Sequence, residues 1–149
     1  MPIVSILIVI TFIDYDHMII PYRLNIMLGI LGIINILLGM YPVTAKSSLI
    51  GAVLGFGFFF LIAIVTGGQM GGGDIFLMGV LGLILGLGEI LMVTVLSFIT
   101  GAVISVILLL TKIKGRKDPI PFGPFIALSA VLVILFGNDI LYFYYKILL

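Results

Sequence analysis

The chain contains no cysteine. Disulfides, thiolate zinc sites and thiol nucleophiles are therefore excluded, while the redox compartment stays open. One histidine, His17, and scattered carboxylates are too sparse a ligand set for a built-in metal centre, and no cofactor is expected. Charge is also scarce: 9% of residues are charged, against about 25% in an ordinary soluble domain. The net charge is +1 and no basic stripe exists, so nucleic acid is not an expected partner. No small-residue cleavage site follows the first apolar run, which reads as a span rather than a signal peptide.

What is present is hydrocarbon. Hydrophobic residues make up 63% of the 149 positions, with a mean hydropathy of +1.48. Uncharged stretches cover 24–45, 47–73, 90–111 and 119–138. Each has the roughly 20 residues that a helix needs to cross a hydrocarbon core about 30 Å thick. Two shorter apolar runs cover 1–13 and 75–88. The reading is an all-α integral membrane protein, a polytopic bundle of about six transmembrane helices at 2–14, 23–40, 48–66, 75–87, 90–111 and 123–137. Backbone groups at membrane depth must be satisfied internally, which leaves helices as the sensible form for these spans. The last span can continue through the aromatic segment 142–145 as an interfacial belt. Gly86, Gly88 and Glu89 make the turn between the fourth and fifth. Gly51, Gly55, Gly79, Gly82 and Gly86 read as packing glycines that let helix backbones approach closely. Asn35 reads as an interhelical hydrogen-bonding residue.

Orientation follows from lysine and arginine in short loops. Lys112, Lys114, Arg116 and Lys117 crowd one loop, which should face the cytoplasm. By alternation, 15–23 and 67–73 share that side, while the N-terminus, 41–47 and Glu89 face outward. Lys46 is the basic residue that departs from this scheme.

Against this background two acids stand out. Asp14 closes the first apolar run and Asp74 follows Gly71, Gly72 and Gly73 and opens another. An ionisable group at membrane depth is costly and marks a functional site by default. Thirteen residues precede Asp14, and thirteen, 75–87, separate Asp74 from the outer turn. At 1.5 Å per residue, both lie roughly 20 Å from the outer face, in the cytoplasmic third of the core. Two carboxylates held together cannot both ionise cheaply, so they share a proton. The charged member can draw a proton from an attacking water while the protonated member donates to the carbonyl oxygen or the leaving nitrogen. Such chemistry needs neither a nucleophilic side chain nor a metal. Asp16 reads as an ordinary interfacial acid beside His17 or Arg23, and the bland reading of Asp74 is a helix N-cap.

Three motifs in order resemble the type IV prepilin peptidases and their archaeal preflagellin relatives, membrane aspartyl proteases of the GxGD class. They are Asp14-Tyr-Asp-His-Met-Ile-Ile-Pro21, Gly71-Gly-Gly73-Asp74 and Pro119-Ile-Pro-Phe-Gly-Pro124. The resemblance implies that Asp14 and Asp74 are the catalytic pair. It places Gly71, Gly73, Pro21, Pro121 and Gly123 near the site or the substrate. It implies an active site toward the cytoplasm of a multi-pass plasma-membrane protein. The substrates would be prepilin-like or pseudopilin precursors, with a short basic leader ahead of a hydrophobic helix and cleavage typically after glycine. Many bacterial members carry an N-terminal four-cysteine zinc region associated with N-methylation. This chain resembles the peptidase core alone, read as one membrane-embedded domain over 1–149. Two positions depart from the family pattern: Tyr22 stands where Asn or Asp is usual after Pro21, and Phe76 where lysine often follows the motif. A small transporter or channel, with acids and a broken helix at depth, is the alternative reading, and an inactive homologue is another.

Overall fold

The computed structural model describes residues 2–39, 43–112, 115 and 118–148. They form six α-helices: α1 Pro2–His17, α2 Tyr22–Leu37, α3 Ala45–Val65, α4 Gly72–Leu85, α5 Leu87–Leu110 and α6 Gly123–Leu148. No strand occurs among the described residues. The sequence-read elements all appear, each within about four residues at its bounds, except that α6 runs on through 138–148. The Tyr142 side chain there is exposed, but the rest of the expected aromatic belt, 143–145, falls on side chains outside the described set. Most of the basic loop that sets the orientation, Lys114, Arg116 and Lys117, also lies outside the described residues.

The helix ends follow from local chemistry. α1 stops at His17 because Met18 takes the left-handed conformation, φ 54°, and Pro21 disfavours helix at the residue before it. Pro21 then serves as the N-cap position of α2. α3 ends in a Schellman motif: Gly68 N–H donates to the Ala63 carbonyl at 2.7 Å and Gly67 N–H to Ile64 at 3.1 Å. Both glycines have positive φ, which glycine adopts without the Cβ penalty. Gly86, at φ +82°, turns α4 directly into α5.

Packing centres on α4, whose buried residues run nearly its whole length. It lies antiparallel against α3, and the approach is so close that side chains are excluded. A Cβ on Gly51 would stand 2.5 Å from the Gly82 carbonyl oxygen, and one on Gly82 would overlap Gly51's own carbonyl. A Cβ on Gly55 would stand 2.5 Å from the Met78 oxygen. The packing-glycine reading of Gly51, Gly55 and Gly82 therefore holds, and Gly79 sits against Phe56. At the end of this pair away from residue 65, Ser47 Oγ accepts the Leu87 N–H at 3.0 Å. That bond ties the first turn of α3 to the α4–α5 turn.

Polar side chains inside the apolar helices mostly serve their own backbone. Thr11, Thr94, Ser97, Thr100 and Thr111 each donate to the carbonyl four residues earlier. A hydroxyl satisfied this way is tolerable where water is scarce. Asn35 does the same, donating to Leu31 at 2.7 Å within α2. The interhelical role expected for it is corrected accordingly: the bond described is to its own helix, since the carbonyl one turn back lies within reach of a short amide.

α3 and α5 are long and apolar enough to cross a membrane. Both turn many large side chains outward, among them Leu49, Val53, Leu61 and Val65 on α3 and Leu91, Val95, Val103 and Leu110 on α5. A core helix of a water-soluble protein would bury such residues.

Candidate active site

Asp14 and Asp74 reach the same place from opposite chain directions. Asp14 lies in the last turn of α1, and Asp74 is the third residue of α4. Both are buried, at 5% and 8% exposure, and both line one cavity of about 410 Å³. The other walls are Met18, Ile62, Thr66, Gln69, Met70, Gly71, Phe98 and the segment 119–122.

The cavity is recessed. Counting along the antiparallel pair from the Gly51–Gly82 and Gly55–Met78 approaches puts Asp74 level with Phe59. α3 continues to Val65, so Asp74 lies about 9 Å short of that helix end at 1.5 Å per residue. The loop 66–71 and the segment 119–122 border the opening above it.

Each acid is held by a glycine. The Gly123 N–H, at the first residue of α6, donates to Asp14 Oδ2 at 2.9 Å. The amides at a helix N-terminus are unpaired within the helix and carry its positive end, so they suit a carboxylate. A Cβ at Gly123 would stand 2.5 Å from that same oxygen, so only glycine lets the backbone come this close. Asp74 turns back toward Gly71, where a Cβ would stand 3.0 Å from Oδ2. Asp74 Oδ1 is buried without a protein hydrogen-bond partner among the described residues. It is therefore open to a water or a substrate group. Gly71, not Asp74, is the N-cap position of α4, which corrects the cap reading of Asp74: Gly72 and Gly73 already belong to the first turn.

The remaining sequence-read positions divide. Gly71 and Pro121 line the cavity. Gly73 packs against Ile20, where a Cβ would meet the Ile20 Cβ at 2.7 Å. Pro21 is half-buried at the start of α2 and is not a cavity wall. Asp16 is exposed and outside the lining. The two departures from the family pattern touch each other: the rings of Tyr22 and Phe76 meet edge to face, centroids 5.3 Å apart. Sequence reasoning missed Phe98 and Ile62, which look like any other apolar residue in a long span.

An all-helical bundle with two buried acids facing one recessed cavity is the class that fold and site define. The chain belongs to the type IV leader peptidase family, whose model matches residues 1–106. It is similar to the prepilin leader peptidase/N-methyltransferase of Bacillus subtilis (strain 168), 35% identical over 150 residues. That match covers 98% of this chain and 58% of the relative. The protein of the same description from Xanthomonas campestris is 36% identical, over 86% of this chain and 46% of its own length. The one from Pseudomonas aeruginosa is 34% identical, over 90% and 48%. The chain thus spans about half the length of the curated relatives it matches. The third motif, at 119–124, lies beyond the family-model match but within the Bacillus one. No solved structure matches the chain.

Proposed function

We propose that this chain is an intramembrane aspartic endopeptidase that removes the short leader from type IV prepilin-like precursors at the cytoplasmic membrane face. The observation that carries the reading is the shared cavity: Asp14 and Asp74, distant in sequence, line one recess with a carboxylate oxygen of each held or left free. Family membership supports a leader peptidase over a transporter or channel.

In the proposed mechanism the two carboxyls share one proton, because a second full charge beside the first is costly. The ionised carboxylate takes a proton from water as the water oxygen bonds to the scissile carbonyl carbon. The protonated carboxyl gives its proton to the carbonyl oxygen. Collapse of the tetrahedral intermediate breaks the C–N bond, and the leaving nitrogen takes up the transferred proton. The Gly123 N–H holds Asp14 in place, and the bare backbone of 71–73 lets an extended substrate approach without side-chain obstruction.

The membrane reading rests on the outward apolar faces. Six spanning helices, with the acid end toward the cytoplasm, fit a cavity bordered by residues of the 66–71 loop and the segment 119–122. α4 has 14 residues, about 21 Å, shorter than the roughly 30 Å core. Its acid end therefore lies below the surface, where a peptide near the membrane boundary could enter. Over residues 1–149 the chain acts as one membrane-embedded peptidase domain, with lipid and prepilin-like or pseudopilin precursors as its partners.

The test is leader removal from a co-expressed prepilin. The wild-type chain should process it, Asp74→Asn should not, and Asp16→Asn should retain substantial cleavage. Full processing by Asp74→Asn rules the mechanism out.

A further inference from the structure

Asn25 is a deeply buried amide near the site, 1% exposed in the first turn of α2. Its Nδ2 donates to the Gly73 carbonyl at 3.1 Å, across 48 positions of chain. Its Oδ1 is buried with no partner among the described residues. Burying an amide with half its hydrogen-bonding capacity unmet is unfavourable. An apolar side chain of similar size would fill the position without that penalty. Stability therefore does not account for an asparagine here.

What the bond does is fix the peptide unit between Gly73 and Asp74. The Gly73 carbonyl and the Asp74 N–H lie in one rigid plane, so the direction of that carbonyl sets where the Asp74 side chain starts. Two glycines precede it, and glycine leaves φ and ψ loosely determined. An external hold is needed, and residues 20–25 supply it on three sides. The Ile20 backbone and Cβ press on Gly73, and the Tyr22 hydroxyl lies over Gly72, where a Cβ would stand 3.2 Å away. Asn25 grips the carbonyl. The same Ile20 reaches Gly123 with its Cδ1, 2.9 Å from where a Cβ would be. Ile20, between α1 and α2, thus braces both Gly73 and Gly123.

We infer that Asn25 is a positioning residue for Asp74, acting through the Gly73 carbonyl rather than touching substrate. The inference rests on the acid-pair reading above. Its test uses the full 149-residue chain in detergent, cleaving a prepilin precursor, with kcat, KM, pH profile and thermal unfolding followed together. Asn25→Leu should lower kcat by about 10- to 100-fold, the scale of a misplacement near 1 Å. KM should stay within about threefold, and the unfolding temperature should equal or exceed that of wild type.

Asn25→Asp is nearly isosteric, and its thermal unfolding shows whether it folds. It lacks the donor when ionised and regains an O–H donor when protonated, so its activity relative to wild type should recover as pH falls. A purely structural residue would instead lose stability while its kcat and pH profile per folded molecule stayed unchanged. That pattern, or wild-type kcat in both variants, overturns the inference. Asp74→Asn, run alongside, separates the two claims. If it is inactive while both Asn25 variants cleave normally, only the role of Asn25 falls. If it cleaves like wild type, the acid pair falls and this inference with it.

Discussion

Gly123 and Asp14, 109 positions apart, are joined by a 2.9 Å hydrogen bond in which the Gly123 backbone N–H donates to Oδ2. A Cβ at 123 would collide with that oxygen at 2.5 Å. Gly123→Ala should therefore push the two apart, breaking the bond and turning the Asp14 carboxyl. Leader cleavage should drop by about 10- to 100-fold, with a loss of about 1–3 kcal/mol in stability. Cleavage rate and thermal unfolding of the purified variant check both.

The α3–α4 seam gives a purely structural prediction. Gly82 faces the Gly51 backbone with no space for a methyl group, whereas a Cβ on Gly57 meets nothing within 4 Å. Gly82→Ala should destabilise by about 1–3 kcal/mol through overpacking, and Gly57→Ala should stabilise by up to about 1 kcal/mol. Thermal unfolding in one detergent compares them. Equal effects would show that the helices do not meet at this glycine pair.

Tyr22 and Phe76 supply a third case. Their edge-to-face contact at 5.3 Å joins the start of α2 to α4, two residues beyond Asp74. Removing either ring should weaken the other's contribution. A double-mutant cycle with Tyr22→Leu and Phe76→Leu should give a coupling of about 0.5–1.5 kcal/mol. Zero coupling would mean that the contact contributes nothing.

Much of this architecture was legible in the chain. The helices could be read because long uncharged runs have few other uses, and the turns because glycine clusters and Pro21 interrupt them. Asp14 and Asp74 could be read because an acid in hydrocarbon is expensive. The reasons for failure are equally physical. Phe98 and Ile62 line the cavity, yet nothing in an apolar run distinguishes the side that faces a cavity from the side that faces lipid. The register of α3 against α4, which sets how far Asp74 is recessed, depends on which glycines meet. Many are available, and only the fold selects Gly51 with Gly82. Asn35 reads as bonding to another helix because polarity alone does not say that a carbonyl one turn back is nearer.

Orientation can be measured because the chain has no native cysteine to interfere. Gly115, between α5 and α6, and Lys46, in the first turn of α3, are both exposed and expected at opposite faces. In intact cells, a membrane-impermeant thiol reagent should label Lys46→Cys and leave Gly115→Cys unmodified until the membrane is opened. The reverse pattern would place the acid pair on the outer side.

The central claim is that Asp14 and Asp74 work as one unit, and single-turnover cleavage of a prepilin precursor by the purified chain tests it most directly. Residues that act together lose their effect together, so single and double substitutions should be grossly non-additive. Asp14→Asn and Asp74→Asn should each reduce the rate about as far as the double variant, to background. Substantial cleavage by either single variant, or a double variant whose loss is the product of two partial losses, would contradict the shared-proton mechanism.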